Sequence, residues 1–129
     1  MKVLIIEDDA DTLEALGFIA TEQGCRMYYG DGDTSISRIK KISPDLLILD
    51  DWINNYQGSN FCDRVKMNEA TRHVLILLIS TRPNIEDIAR ECKCDAWLSK
   101  PFNLDELEDI LHNLAVKPTG VSTKATAGS

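Results

Sequence analysis

Short apolar runs alternate with stretches of helical periodicity along this chain. Residues 3–6, 46–49, 74–79 and 96–98 are runs of three to six apolar residues. They are too short for buried helices, and they suit strands covered on both faces. A weaker run at 26–29 makes a fifth strand. Between the runs, apolar residues recur at three and four positions: Leu13, Leu16, Ile19 and Ala20; Ile36 and Ile39; Phe61, Cys62 and Val65; Ile85, Ile88, Ala89 and Cys92; Leu104, Leu107, Ile110, Leu111 and Leu114. These spacings predict five amphipathic helices.

Polar punctuation marks the expected helix ends. Asp11 and Glu14 read as a capping box for the first helix, with Gly24 as its stop, and Asn103 and Glu106 read as a box for the fifth. Asp33, closing the Gly30-Asp31-Gly32-Asp33 turn, is placed to cap the second helix, and Pro44 ends it. Residues 51–58 read as a loop, in which Gly58 supplies backbone freedom before the third helix. Strands joined by single helices pair in parallel through right-handed crossovers. The predicted fold is therefore α/β: a doubly wound five-stranded parallel sheet with helices on both faces, an α/β/α sandwich.

At 129 residues, 43% hydrophobic and 27% charged, the chain suits one compact core. That core spans 1–116; residues 117–129 have no apolar period and read as a flexible tail or linker. The net charge of −7 and pI near 4.7 argue against direct nucleic-acid binding, which needs a basic stripe. No apolar stretch approaches the roughly 18 residues of a membrane span, and the start runs directly into a strand rather than a signal peptide. A cytoplasmic location is the expectation. Cys25, Cys62, Cys92 and Cys94 form no CxxC pair and lack zinc-ligand neighbours, so they read as reduced structural thiols. His73 and His112 stand apart from any ligand pattern.

Four of the predicted strands end in reactive side chains: Glu7-Asp8-Asp9, Asp50, Ser80 and Ser99-Lys100. Open α/β sheets build their sites at the carboxyl ends of strands, so acids, a hydroxyl and an ammonium converge at one edge. In outline this is a site for a cation and a phosphoryl group. Singly, each residue has a plainer reading: acids complementing a helix dipole, a solvated lysine, a strand-end serine.

Taken together, Ile6-Glu7-Asp8-Asp9, Pro44-Asp45-Leu46-Leu47-Ile48-Leu49-Asp50, Ile79-Ser80 and Leu98-Ser99-Lys100-Pro101-Phe102 resemble, in order and spacing, the receiver domain of two-component response regulators. The resemblance covers about residues 1–116 and implies a CheY-like, flavodoxin-like fold. It implies that Asp50 is the phosphoacceptor, taking a phosphoryl group from a sensor histidine kinase or phosphotransfer protein as an aspartyl phosphate. A carboxylate needs a cation between itself and a phosphoryl group. Asp8 and Asp50, the backbone carbonyl of Trp52, and Glu7 through water are the implied Mg²⁺ site, a hard oxygen set that suits this ion.

The resemblance also implies that Lys100, held inward by a cis peptide before Pro101, and Ser80 answer the phosphoryl charge. Ser80 with Trp97, three positions before the lysine, forms the implied switch; a constitutive core tryptophan is the competing reading. The implied output surface is the fourth helix, last strand and fifth helix, which serves an output partner and is where receivers of this type pair as homodimers. The sequence leaves the output partner and the oligomeric state open. Such a domain is not an enzyme; it phosphorylates and dephosphorylates only itself.

The chain departs from the family pattern around the acceptor. Asn54 stands where Pro is common, Gln57 where Asp is frequent, and Thr81 where Ala is usual. The resemblance implies that Trp52 and Arg82 flank the path of water to the aspartyl phosphate, and that Thr81 adds bulk and a second hydroxyl beside the phosphoryl pocket, where it bears on access. Two other functions compete. A haloacid dehalogenase-type phosphohydrolase wants a second Asp two residues past its nucleophile, where this chain has Trp52. A degenerate receiver would act as a phosphorylation-independent protein-binding module.

Overall fold

The computed structural model describes the backbone of residues 1–31, 34–53 and 56–116. Its elements run β1 (Lys2–Ile6), α1 (Ala10–Glu22), β2 (Arg26–Gly30), α2 (Ile36–Ile42), β3 (Leu46–Asp50), β4 (Trp52–Ile53), β5 (Tyr56–Gln57), α3 (Gly58–Met67), β6 (Leu75–Ser80), α4 (Ile85–Cys92), β7 (Ala96–Ser99) and α5 (Leu104–Val116). Five strands pair in parallel in the order β2-β1-β3-β6-β7. This is the predicted doubly wound sheet. The expected tail, 117–129, lies outside the described residues.

The period of two within each strand divides the core into two layers. Val3, Ile5, Ile48, Leu77 and Leu98 meet Leu16 and Ile19 of α1 and Leu107, Ile110 and Leu111 of α5. On the other face, Leu4, Ile6, Leu47, Leu49, Ile76 and Leu78 meet Ile39 of α2, Phe61 and Val65 of α3, and Ile85 and Ile88 of α4. Every residue of β3 and β6 is buried, which explains why these strands read as unbroken apolar runs. Full burial of one such Leu or Ile contributes about 1.5–3 kcal/mol.

Three local expectations change. The N-cap of α1 is Asp9, whose carboxylate accepts from Thr12 N at 2.9 Å and Thr12 Oγ1 at 2.6 Å. Asp11 falls inside the first turn, beyond reach of a capping position. Ser35 caps α2 by accepting from Arg38 N at 3.1 Å; Asp33 lies outside the described residues. Within the predicted loop after β3, β4 and β5 pair antiparallel, Trp52 opposite Gln57 and Ile53 opposite Tyr56. Two-residue strands are too short to leave a period in the sequence.

Other ends follow expectation. Gly24 takes φ +81° just past α1, where a side chain would be strained. Asn103 Oδ1 accepts from Glu106 N at 2.9 Å while Glu106 Oε1 accepts from Asn103 N at 3.0 Å, the reciprocal box. Among the described residues, no helix is long and apolar enough to cross a membrane.

Candidate functional site

Parallel register brings the strand ends together. Ile6 of β1 lies opposite Leu49, Asp50 of β3 opposite Ile79, and Ser80 of β6 opposite Ser99. Glu7, Asp8, Asp50, Ser80 and Lys100 therefore emerge along one sheet edge. The Lys100–Pro101 peptide is cis, and Lys100 Nζ donates to Glu7 Oε2 at 2.9 Å and to Asp50 Oδ2 at 3.1 Å.

Glu7 and Asp50 are 5% and 8% exposed, whereas Asp8 is open to solvent. Glu7 Oε1 also accepts from Asp9 N at 3.0 Å. Burial raises the Glu7 carboxyl pKa from 4.5 to about 7; its hydrogen bond to Asp50 and the Asp50 charge add to this, while the Asp9 N–H and Lys100 oppose it. Burial pulls the Lys100 ammonium downward, but its bond to Glu7 and the charges of Asp50 and Glu7 outweigh that and leave its pKa raised. Asp9 stays apart as the helix cap, its pKa lowered by Thr12.

Carboxylate oxygens of Glu7, Asp8 and Asp50 lie within 4.8 Å of one another. With all three ionised they oppose one ammonium, a formal balance of −2. An all-oxygen set with this charge fits a hard divalent cation such as Mg²⁺. Trp52, whose carbonyl is the fourth implied ligand, lies in β4; its side chain falls outside the description.

Ser80 reaches the sheet edge, but its hydroxyl is engaged elsewhere. Ser80 Oγ donates to Asp51 Oδ2 at 3.1 Å and accepts from Arg82 N at 2.9 Å. Asp51 is fully buried, and its Oδ2 also accepts from Arg82 Nε at 2.5 Å. The Asp51 backbone N–H extends the β3 ladder to Ile79 O at 2.8 Å. Sequence reasoning left Asp51 in the loop. The available signal was a second acid directly after a strand-end acid, matched by an arginine two residues past a strand-end serine.

Thr81 is exposed, and Arg82 is partly covered through its pairing with Asp51. Trp97 is half-buried and packs against the layer formed with α3 and α4, beside Leu78 in the register. It is therefore neither a fully enclosed core residue nor a free surface ring. The four cysteines are free thiols; Cys62 and Cys92 are buried between α3 and α4, with Cys62 Sγ 3.3 Å from Cys92 O.

The family model described as response regulator receiver domain matches residues 3–112. The phosphate regulon transcriptional regulatory protein PhoB of Escherichia coli is 28% identical over 109 residues, covering 82% of this chain and 48% of PhoB. The DNA-binding response regulator MtrA of Mycobacterium leprae is 26% identical, covering 82% of this chain and 47% of MtrA. The chain thus spans about half the length of these curated relatives. Among solved structures, the chemotaxis response regulator CheY4 of Vibrio cholerae superposes with a TM-score of 0.78 at 23% identity, over 88% of this chain and 97% of that one. The signal receiver domain of a DNA-binding response regulator from Colwellia psychrerythraea gives 0.80 at 19% identity, over 90% and 98%. At these identities the two structures speak to the fold alone.

Proposed function

Because this chain belongs to the response regulator receiver family, we propose that it is a phosphoacceptor, taking a phosphoryl group onto Asp50 from a sensor histidine kinase or phosphotransfer protein. The observation that carries the reading is Lys100 Nζ held between Glu7 and Asp50 at the mouth of an acidic cluster. An Asp50 oxygen attacks phosphorus, the P–O bond forms as the P–N bond to the donor imidazole breaks, and the departing imidazole takes a proton from water. Lys100 offsets charge on the carboxylate before transfer and on the phosphoryl oxygens during it.

Asp8, Asp50 and the Trp52 carbonyl, with Glu7 through water, are the residues that would hold Mg²⁺. When bound, Mg²⁺ supplies positive charge that offsets repulsion between the carboxylate and the incoming phosphoryl oxygens. Glu7 also binds Lys100 Nζ, at 2.9 Å, which helps keep the ammonium at the acceptor. Ser80 donates its hydroxyl to the phosphoryl group once phosphorylated, and Trp97 follows it.

The surface of α4, β7 and α5 presents the result to an output partner or to a second copy of the chain, without direct contact to nucleic acid, in the cytoplasm. Turnover is limited to gain and loss of the chain's own phosphoryl group. Trp52, Thr81 and Arg82 border the path of hydrolytic water, with Trp52 as the shield; Trp52→Ala shortens the lifetime of the phosphorylated state under this reading, and an unchanged lifetime rejects that role.

Incubation with acetyl phosphate tests the proposal. Mg²⁺-dependent addition of one phosphoryl group, lost in Asp50→Asn, is the expected result, and no addition overturns it. One observation favours a second reading, a phosphorylation-independent binding module: the Ser80 hydroxyl is already engaged by Asp51. That reading predicts no labelling and partner binding unaffected by Asp50→Asn.

A further inference from the structure

Asp51 is a fully buried carboxylate next to the proposed acceptor, and its surroundings are unusual. Oδ2 takes both available donors, the Ser80 hydroxyl and Arg82 Nε, while Oδ1 has no hydrogen-bond partner among the described residues. Buried carboxylates ordinarily satisfy both oxygens, so each donor that Asp51 does hold is costly to withdraw. A serine hydroxyl carries one proton. The Ser80 proton points at Asp51, and Oγ also accepts from Arg82 N at 2.9 Å. As it stands, Ser80 has nothing to donate to Asp50.

We propose that Asp51 is a positioning residue that competes with the phosphoryl group for the Ser80 hydroxyl, with Arg82 setting the strength of that competition. The inference rests on the phosphoacceptor reading of Asp50 and adds a latch to it. For Ser80 to bond a phosphoryl oxygen it must leave Asp51, whose carboxylate then keeps Arg82 as its remaining side-chain donor. Arg82, on the β6–α4 connection with its side chain 36% exposed, makes that departure tolerable, because its guanidinium stays on Oδ2. The two residues therefore act in opposite senses. Asp51 withholds the hydroxyl, and Arg82 lowers the penalty of releasing it.

The opposed senses give the test. Phosphorylation by acetyl phosphate in Mg²⁺ is followed for the wild-type chain, Asp51→Asn, Arg82→Gln, and each of these combined with Ser80→Ala. The neutral, near-isosteric Asn holds the hydroxyl less firmly, so Asp51→Asn raises the initial rate roughly threefold to tenfold, as expected when a competent state becomes more populated. Arg82→Gln lowers it by a similar factor. Both effects vanish in the Ser80→Ala background, whereas a purely structural role for Asp51 persists there.

Urea midpoints establish that each variant is folded. A second measurement avoids kinetics. Addition of beryllofluoride, an acyl phosphate mimic, shifts the Arg82 Nε–H resonance in the wild-type chain, because Asp51 loses its other donor, but not in Ser80→Ala. Unchanged rates in Asp51→Asn with the wild type still labelled, or an unmoved Arg82 resonance, overturn the latch alone. Absence of labelling in the wild-type chain overturns the phosphoacceptor reading and the latch with it.

Discussion

Lys100 and Glu7 form a bonded ion pair at 2.9 Å in which the carboxylate is the more deeply enclosed member, its side chain 1% exposed against 15% for the lysine. For Lys100 the attraction of the acids outweighs desolvation, whereas for Glu7 that attraction and the Asp9 N–H on its second oxygen offset it only in part. Asp50 shares the same ammonium at 3.1 Å. One cation is thus shared by two buried acids that stand close enough to hydrogen-bond each other. The pair positions the lysine at Asp50, and it makes the lysine a structural element of the metal-free fold as well.

Lys100→Met removes that cation while keeping most of the side-chain volume. Two acids are left facing each other, and the metal-free chain loses roughly 1–3 kcal/mol, the range for a buried group deprived of its partner. Added Mg²⁺ recovers part of the loss, because the acids then have another cation. Urea unfolding with EDTA and with Mg²⁺ measures both quantities; equal losses in the two conditions contradict the arrangement.

Asp8 gives the complementary case. It is exposed, and its oxygens complete the three-carboxylate cluster. Asp8→Asn removes one of three like charges, so in EDTA the variant is at least as stable as the wild type. In Mg²⁺ the wild type gains stability by mass action, about 2.7 kcal/mol at a hundredfold excess over Kd, and Asp8→Asn forfeits most of that gain. Thermal melts across a Mg²⁺ titration decide it: parallel curves for the two proteins reject Asp8 as a ligand.

Much of this was legible in the sequence, for identifiable reasons. Residues 46–49 and 75–79 are buried on both faces, so their composition alone marks interior strands, and the helical spacing of Ile85, Ile88, Ala89 and Cys92 corresponds to four buried positions. Asp50 and Lys100 stood out because each follows an apolar run. Asp51 did not, because its role depends on Ser80 and Arg82, about thirty residues away across the β3–β6 pairing, and no local pattern encodes that contact. The Asp9 cap was obscured by its neighbours: Asp8, Asp9 and Asp11 are all acids that suit a helix start, and only backbone geometry separates the cap from the member of the acidic cluster and the first-turn residue.

The capping box on α5 offers a control remote from the chemistry. Asn103 and Glu106 satisfy each other's backbone N–H at 2.9 and 3.0 Å. Asn103→Ala removes one of these bonds and costs about 1 kcal/mol. The loss is the same with EDTA and with Mg²⁺, and the phosphorylation rate is unchanged. A variant that altered metal-dependent stabilisation would show α5 to be coupled to the acidic cluster.

Stability without metal carries a pH signature set by Glu7. Its carboxyl titrates at about 7 in the folded chain against 4.5 as an ordinary glutamate, because burial and the neighbouring Asp50 favour the protonated form. Between those two values the folded state holds a proton that the unfolded state has released. Stability therefore falls as pH rises through this window and levels off above about 7. Glu7→Gln, which cannot ionise, flattens this part of the curve and is more stable than the wild type at pH 8 in EDTA, provided that the amide keeps its bond to Asp9 N. Mg²⁺ acts against the slope, since the ion requires the deprotonated cluster and competes with the proton for it. Urea midpoints from pH 5 to 8 in EDTA, repeated in Mg²⁺, supply the check. A wild-type curve that rises across the window in EDTA, or a Glu7→Gln curve that keeps the wild-type slope, places the titrating proton on another group.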